Sequence, residues 1–173
     1  RGTVLEIGIG TGLNLPYYDS SRVDRLIGLD PSEKSWELAG ERAAHLDFDV
    51  EFIGLPGEEI PLDDASVDTV LVTFSLCTIP DPVAALKGMA RVLRPEGELI
   101  FCEHGRAPDP AVIKWQDRIN PMWRRIAGGC NLNRDIPTLL GEGGFRIENL
   151  EQQYIPGTPR FAGFNYWGGA RRV

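Results

Sequence analysis

Glycine occupies every second position of a short segment near the start of the chain. Gly8, Gly10 and Gly12 follow the apolar run Val4–Ile7, which carries one acidic residue, Glu6. Without a Cβ, such a turn bends tightly and lets a ligand lie directly against main-chain N–H groups. A dinucleotide fingerprint would place its third glycine at position 13, which is leucine here. The spacing therefore predicts a nucleoside site without a pyrophosphate, and the Glu6 carboxylate suits an ammonium or hydroxyl. S-adenosylmethionine (SAM) fits this pattern better than NAD.

A second acidic residue, Asp30, ends the next apolar run. In a doubly wound sheet this point lies beside the loop that follows the first strand, where a carboxylate accepts hydrogen bonds from ribose hydroxyls. Taken alone, an aspartate at a strand end is more typical of a helix cap. Together with the glycine loop, Asp30 is predicted to bind a cofactor ribose.

Apolar runs alternate with helical patterns in the order β-α-β-α-β-loop-β-α-β, followed by a different tail. This order predicts an α/β, Rossmann-like, doubly wound sheet with right-handed crossovers and its ligand at the carboxyl ends of the strands. Strands are predicted at residues 3–7, 26–29, 50–53, 67–74 and 98–102, helices at 14–18, 32–44 and 82–93, and a turn at 94–97. In the tail, helices at 112–126 and 136–140 precede strands at 145–150 and 161–166. This closing hairpin predicts seven strands, mostly parallel with an antiparallel C-terminal strand, in a single domain over residues 1–173.

Two loops at the predicted ligand edge carry further candidates. The Gly57 N–H is predicted to reach an adenine ring nitrogen and Glu58 to accept from the exocyclic amine, although an acidic surface loop is the alternative. The fourth strand ends in Thr73–Thr78. Its terminal carbonyls are predicted to face the ammonium of a methionine group, with Phe74 beside the sulfonium.

The composition excludes several classes of protein. A net charge of −7 argues against a broad nucleic-acid surface. No run approaches the roughly 20 apolar residues of a membrane span. The three cysteines form neither a disulfide framework nor a zinc motif, so we expect no metal and a reducing, cytoplasmic compartment.

Four segments, read together, resemble the class I SAM-dependent methyltransferases: VLEIGIGTG, LIGLD, GEEIPLDDASVDTVLVTFSL and VLRPEGELIF. The tail, with EH at 103–104, a spaced W-Q and NP-W over 115–123 and GCNLNR at 129–134, resembles a methyltransferase-like group that includes membrane-associated alkyl thiol methyltransferases and bacterial relatives. The resemblance implies SAM as cofactor and S-adenosylhomocysteine as product. The cofactor-binding residues that it implies are Glu6, Gly8, Gly10, Gly12, Asn14, Asp30, Pro31, Gly57, Glu58, Phe74 and Ser75.

The chain departs from that family in two respects. Many relatives carry an aspartate that contacts the adenine amine, and Pro56 stands there instead. Adenine recognition is therefore expected to depend on Gly57 and Glu58. Relatives also have an N-terminal lid helix, and the animal enzymes a membrane anchor, ahead of the first strand. We expect such a segment to be missing from this chain and to be the source of any peripheral membrane contact.

His104 is the candidate general base, because imidazole titrates near neutral pH and the fifth strand ends at the cleft. The alternative is a histidine bonded to Glu103 or to the backbone. Asn131 is predicted either to orient an acceptor or to cap the following helix. If the aromatic residues of the tail line the pocket, the acceptor is apolar, which suits a thiol or a lipid-like amine.

The expected activity is methyl transfer from SAM to a small-molecule acceptor. The alternative is a SAM-binding module without catalysis of its own, acting as a partner-stabilising subunit. Leucine at position 13 disfavours an NAD-dependent oxidoreductase. The acidic charge and the absence of an amine-binding motif after the fourth strand disfavour methylation of nucleic acids and proteins.

Overall fold

The computed structural model describes residues 1–173, apart from the side chain of Glu41. Within this chain, seven strands form one sheet: β1 (Gly2–Ile7), β2 (Val23–Leu29), β3 (Asp49–Ile53), β4 (Val67–Thr73), β5 (Leu93–His104), β6 (Phe145–Tyr154) and β7 (Phe164–Arg172). The helices are α1 (Glu33–Ala43), α2 (Pro82–Val92), α3 (Pro110–Ile126) and α4 (Ile136–Glu142), and a 3₁₀ turn spans Leu15–Tyr17.

The strand order is β3-β2-β1-β4-β5-β7-β6. Strands β1 to β5 pair in parallel, whereas β7 runs antiparallel to both β5 and β6. The predicted Rossmann-like sheet with an antiparallel C-terminal strand is therefore confirmed. The order reverses between β1 and β4, and in sheets of this kind a ligand binds at that point, outside the carboxyl ends of the strands.

Two hydrophobic clusters, one on each face, hold the sheet. Alternate residues of a strand point to opposite faces. In β1, Val4 packs with Leu26 and Ala39 on the α1 side, whereas Leu5 and Ile7 belong to the larger cluster around α2 and α4. Helices α1 and α2 begin at the predicted caps. The side chain of Ser32 accepts from the Ser35 N–H, and that of Asp81 accepts from the Ala84 N–H.

Predicted boundaries are wrong in two regions, around β5 and in the hairpin of β6 and β7. Residues 94–97 do not separate α2 from β5 as a turn but belong to β5 as an irregularity, because Val67 pairs with Leu93 and Thr69 with Glu98. The last strand begins at Phe164 rather than at residue 161, and β6 runs on to Tyr154, which pairs with Phe164. In both places the strand boundary is set by pairing with a neighbouring strand, and local sequence does not report such pairing.

The tail is fastened to the sheet by one buried side chain on α3. Gln116 accepts a hydrogen bond from the Ala107 N–H (3.0 Å). Its amide donates to the carbonyls of Gly105 (3.1 Å), Leu132 (2.9 Å) and Phe161 (3.0 Å). One glutamine thus joins the end of β5, the loop before α4 and the hairpin.

No helix in the described part of the chain combines the length and the apolar character needed to cross a bilayer.

Replacing Gln116 with leucine should destabilise the protein severely. The substitution leaves one N–H and three carbonyls without their partner in a buried region, and each unpaired group costs about 1–3 kcal/mol. We expect Gln116→Leu to lower the free energy of unfolding by at least about 3 kcal/mol in urea titrations. The exposed residue Gln153 offers a matched control, and Gln153→Leu should change it by less than about 0.5 kcal/mol. Equal effects of the two substitutions would contradict the linking function of Gln116.

Candidate functional site

A cavity of about 380 Å³ lies at the carboxyl ends of β1, β2 and β4. Its volume is within the range of about 300–1,000 Å³ that small-molecule sites occupy. The residues that line it are Gly8, Asp30, Pro31, Pro56, Gly57, Glu58, Thr73, Phe74, Ser75, Thr78, Ile79 and Pro80. A larger hollow of about 730 Å³, between Arg1, Asp68 and Arg94, lies at the opposite edge of the sheet. Ligands of this fold bind at the carboxyl edge, so the smaller cavity is the candidate site.

The cavity brings together seven of the residues predicted to bind the cofactor: Gly8, Asp30, Pro31, Gly57, Glu58, Phe74 and Ser75. Glu6, Gly10, Gly12 and Asn14 lie outside its lining. Five further residues line it that were not among the predicted cofactor-binding residues: Pro56, Thr73, Thr78, Ile79 and Pro80. Their only signal in the sequence is their position beside Gly57 or in the segment that begins at the end of β4.

The glycine loop needs its glycines for backbone conformation. Gly8, Gly10 and Gly12 have φ values of 74°, 51° and 69°, a region that side chains other than glycine disfavour. Space is short as well, since a Cβ on Gly8 would collide with the Ser75 hydroxyl and one on Gly12 would lie 2.6 Å from Leu15 Cδ1. The loop consequently lies tightly against the segment after β4 and against the 3₁₀ turn.

Asp30 joins the glycine loop to the start of α1. Its Oδ2 accepts from the Gly10 N–H (3.0 Å) and its Oδ1 from the Ser32 N–H (2.8 Å). Asp30 is not the cap of α1, because Ser32 has that function. A carboxylate has about four acceptor positions, so two remain for the hydroxyls of a ligand.

Glu58 carries an acceptor that lacks a donor. Its Oε1 accepts from the Asp81 N–H (3.0 Å), whereas Oε2 is the one buried side-chain oxygen without a hydrogen-bond partner among the described residues. A buried acceptor left in this state costs about 1–3 kcal/mol. Glu58 itself lines the cavity, and its contact with an exocyclic amine stays a prediction.

Glu6 acts from behind the cavity wall. It is buried, and its oxygens accept from Asn14 Nδ2 and from the Tyr18 hydroxyl, both at 2.8 Å. Burial raises the pKa of the Glu6 carboxyl, and the two hydrogen bonds oppose that shift. Asn14 also donates to Thr73 Oγ1 (2.9 Å), so these contacts join the loop to the end of β4. Direct contact of Glu6 with a ligand stays a prediction.

The far wall of the cavity is a turn that Glu103 holds. The Glu103 carboxyl is fully buried; its Oε1 accepts from the N–H groups of Ser75 (2.7 Å) and Leu76 (2.9 Å), and its Oε2 from that of Cys77 (3.4 Å). Burial raises the pKa of this carboxyl to about 7, against the opposing effect of these bonds. Phe74, at the start of the turn, has a φ of 49° and a ring that is 55% exposed.

Beyond this turn, His104 meets two cysteines. His104 Nε2 lies 3.0 Å from Cys130 Sγ, and the indole N–H of Trp123 donates to the same sulfur (3.4 Å). Hydrogen bonds, first from Cys77 and then from His104 and Trp123, lower the pKa of the Cys130 thiol. The contact with Cys130, together with burial, raises the pKa of the Cys77 thiol. His104 therefore bonds to a sulfur rather than to Glu103.

Asn131 fastens this region to the turn. Its backbone N–H (2.8 Å) and its side-chain amide (2.9 Å) both donate to the Cys77 carbonyl. It does not cap the following helix, because Asp135 has that position in α4. Neither His104 nor Asn131 lines the cavity, and their predicted contact with an acceptor remains a prediction.

Known proteins resemble this chain in sequence and in fold. The family described as "Methyltransferase domain" matches residues 5–101. Human thiol S-methyltransferase TMT1B is 35% identical over 158 residues, which cover 88% of this chain and 64% of that protein. Phosphatidylethanolamine N-methyltransferase of Cereibacter sphaeroides is 35% identical over 105 residues, 60% of this chain and 51% of that protein. The chain thus spans less than two thirds of the length of either relative.

The fold is shared with solved structures at much lower identity. A SAM-dependent methyltransferase from Methanosarcina mazei superposes with a TM-score of 0.78 over 99% of this chain and 92% of its own, at 17% identity. Together with the family match over more than half of the sequence, this places the chain among the class I methyltransferases. The chain belongs to the methyltransferase domain family.

Proposed function

We propose that the protein binds SAM in the cavity and transfers its methyl group to a small apolar acceptor, in the first place a thiol. The observation that carries this proposal is the convergence on one cavity of Gly8 from the positive-φ loop, Asp30 and Glu58, whose Oε2 lacks a donor. The thiol S-methyltransferase among the relatives supports the choice of acceptor.

Each part of the cavity fits one part of the cofactor. Glu58 Oε2 would accept the adenine amine and Asp30 the ribose hydroxyls, since both have free acceptor positions. The glycine loop would let the cofactor lie against the backbone, with Thr73 and Ser75 at its methionine end. When bound, SAM supplies the methyl group as an electrophile on a sulfonium. The protein then has to hold an acceptor in line and exclude water.

A thiol acceptor suits the chemistry beside the cavity. A free thiol has a pKa near 8.5 and forms the reactive thiolate at neutral pH without a strong base. An amine acceptor must lose a proton, and the Glu103 carboxyl behind the far wall cannot take it, because Glu103 is fully buried with both oxygens bonded to the backbone. The exposed Phe74 ring and Ile79 give the cavity apolar surface for an alkyl group.

A reducing compartment, the cytoplasm, is part of the proposal. All three cysteines are free thiols, and Cys77 and Cys130 lie side by side. An oxidising compartment favours disulfide formation between such neighbours.

Removing the Asp30 carboxylate should weaken cofactor binding. Asp30→Ala removes the acceptors for the ribose, and loss of charge-assisted bonds of this kind costs roughly 1.5–3 kcal/mol. We expect the dissociation constant of S-adenosylhomocysteine to rise roughly 10- to 150-fold in calorimetry. The exposed Asp47, at the opposite edge of the sheet, gives the control Asp47→Ala, which should leave the affinity unchanged.

The 2′-deoxy analogue of S-adenosylhomocysteine separates ribose binding from a distorted loop, since Asp30 also holds the Gly10 N–H. If Asp30 binds the hydroxyls, Asp30→Ala weakens the analogue much less than the parent compound. An equal loss for both ligands would assign Asp30 to the loop alone.

Labelled SAM should transfer its methyl group to an alkyl thiol and not to the alcohol or primary amine of the same chain length. Of these three, the thiol has the most nucleophilic unprotonated form, and a small fraction of thiolate at neutral pH is enough for reaction. Label is measured in the organic extract over a series of chain lengths, with phosphatidylethanolamine as an additional acceptor. Transfer to the amines alone would overturn the thiol assignment. Cofactor binding without transfer to any acceptor would favour the non-catalytic SAM-binding module.

A further inference from the structure

Three side chains that favour soft metals meet beside the cavity. The Sγ atoms of Cys77 and Cys130 and a ring nitrogen of His104 all lie within 4.8 Å of one another. No spacing in the sequence indicates this cluster, since its members come from the turn after β4, the end of β5 and the loop after α3. We propose that Cys77, His104 and Cys130 bind one Zn²⁺ ion whose fourth coordination position is open to the methyl acceptor.

The donor set selects the metal. Two thiolates and one imidazole are typical Zn²⁺ ligands, whereas Mg²⁺ and Ca²⁺ require oxygen ligands. Tetrahedral Zn²⁺, with bonds of about 2.3 Å to sulfur and about 2.0 Å to nitrogen, separates its ligand atoms by roughly 3.5–3.8 Å. His104 Nε2 and Cys130 Sγ are 3.0 Å apart, and no pair exceeds 4.8 Å. The side chains therefore need to move by about 1 Å or less to coordinate the ion.

The surroundings hold the ligands in place without the metal. The turn that carries Cys77 is bonded to Glu103 through its N–H groups and to Asn131 through the Cys77 carbonyl. Arg134 Nη1 donates to the Ile79 carbonyl (2.7 Å) and to that of Leu76. The Trp123 N–H donates to Cys130 Sγ, which is the outer contact that a metal-bound thiolate usually has.

The open fourth coordination position of the ion is inferred from the residues that surround its three ligands. Three protein ligands with a free fourth position are the pattern of catalytic rather than structural zinc. The Phe74 carbonyl (3.5 Å) and the Thr78 hydroxyl (3.4 Å) contact Cys77 Sγ, and the Trp123 indole contacts Cys130 Sγ. On the remaining side the His104 ring stacks on Phe74, with ring centroids 6.5 Å apart, and Phe74 lines the cavity. An acceptor between Phe74 and the ion would face the cofactor.

A metal at this place would determine the acceptor, and this part rests on the proposed function. The acceptor thiol loses its proton to solvent as its sulfur binds the ion. A lone pair of that sulfur forms the bond to the methyl carbon, and the electron pair of the broken sulfonium–methyl bond stays on the cofactor sulfur. Thiol and SAM thus become methyl thioether, S-adenosylhomocysteine and one proton, without any oxidant or reductant. The positive sulfonium offsets the negative charge that the thiolate adds to the neutral zinc site.

Metal binding can be tested without activity. The full chain is purified with a reducing agent, stripped with a chelator and titrated with Zn²⁺ against a chromophoric competitor, then with Co²⁺ as a spectroscopic substitute. We expect about one ion per chain, together with the intense thiolate-to-cobalt and tetrahedral cobalt bands. Cys130→Ser and His104→Ala should each weaken binding by about 100-fold or more.

Cys102 provides the matched control, because it is also half-buried but lies outside the cluster. Cys102→Ser should bind Zn²⁺ like the unaltered protein, and circular dichroism should show that all three variants are folded. Binding that is substoichiometric, or that survives both Cys130→Ser and His104→Ala, would overturn the metal site.

Addition of an alkyl thiol to the cobalt form tests the open position. A third sulfur ligand should increase the thiolate-to-cobalt absorbance, and the same alcohol should not. If one cobalt ion binds per chain but its spectrum does not change when the thiol is added, the proposed contact between metal and acceptor is wrong. Calorimetry with S-adenosylhomocysteine on the same samples distinguishes failure of the metal site from failure of the proposed function. Absence of cofactor binding would contradict the proposed function and would leave the result on metal binding unchanged.

Discussion

The buried Glu103 carboxyl is the contact on which both halves of the site depend. A carboxyl group without solvent is costly to ionise, and three backbone N–H bonds are what make its position tolerable. Those bonds fix the turn after β4. This turn places Ser75 in the cavity wall and Cys77 in the cluster that it forms with His104 and Cys130. A single residue at the end of β5 thereby fixes the position of the cavity wall relative to the cysteine–histidine cluster.

Four carboxyl groups lie in or behind the cavity wall, those of Glu6, Asp30, Glu58 and Glu103. They differ in how many of their oxygens already accept hydrogen bonds from the protein. Both oxygens of Glu6 and of Glu103 already have donors, so these two residues hold parts of the wall together. Asp30 also holds the loop, but it is less buried and has acceptor positions to spare. Glu58 alone has an oxygen without a donor among the described residues. Such a division cannot be read from residue type, because it follows from which backbone amides each carboxylate reaches.

The parallel half of the fold could be predicted because its strands are short apolar runs and two of its crossovers, α1 and α2, are capped helices. Seven of the residues that line the cavity could be named in advance from the rule that ligands bind at strand ends. The donors to Glu6 could not, because the side-chain directions of Asn14 and Tyr18 depend on a 3₁₀ turn packed on the sheet. The cluster of Cys77, His104 and Cys130 could not be predicted either, because its members are more than 25 positions apart and meet only through tertiary packing.

Phe74 lies between the cavity and the cluster of Cys77, His104 and Cys130. Its backbone has a conformation that glycine adopts more easily, so the presence of a side chain there needs a reason. A φ of 49° costs a residue with a side chain about 1 kcal/mol or more, a cost that glycine avoids. The conformation is enforced by the Phe74 N–H, which donates to the Cys102 carbonyl (2.9 Å), and by Glu103 on the next residue. It turns the chain across the sheet edge and leaves the ring half exposed between the cavity and His104. Strain kept at such a position is typical of functional sites. The strain thus keeps the ring in the cavity wall, next to His104.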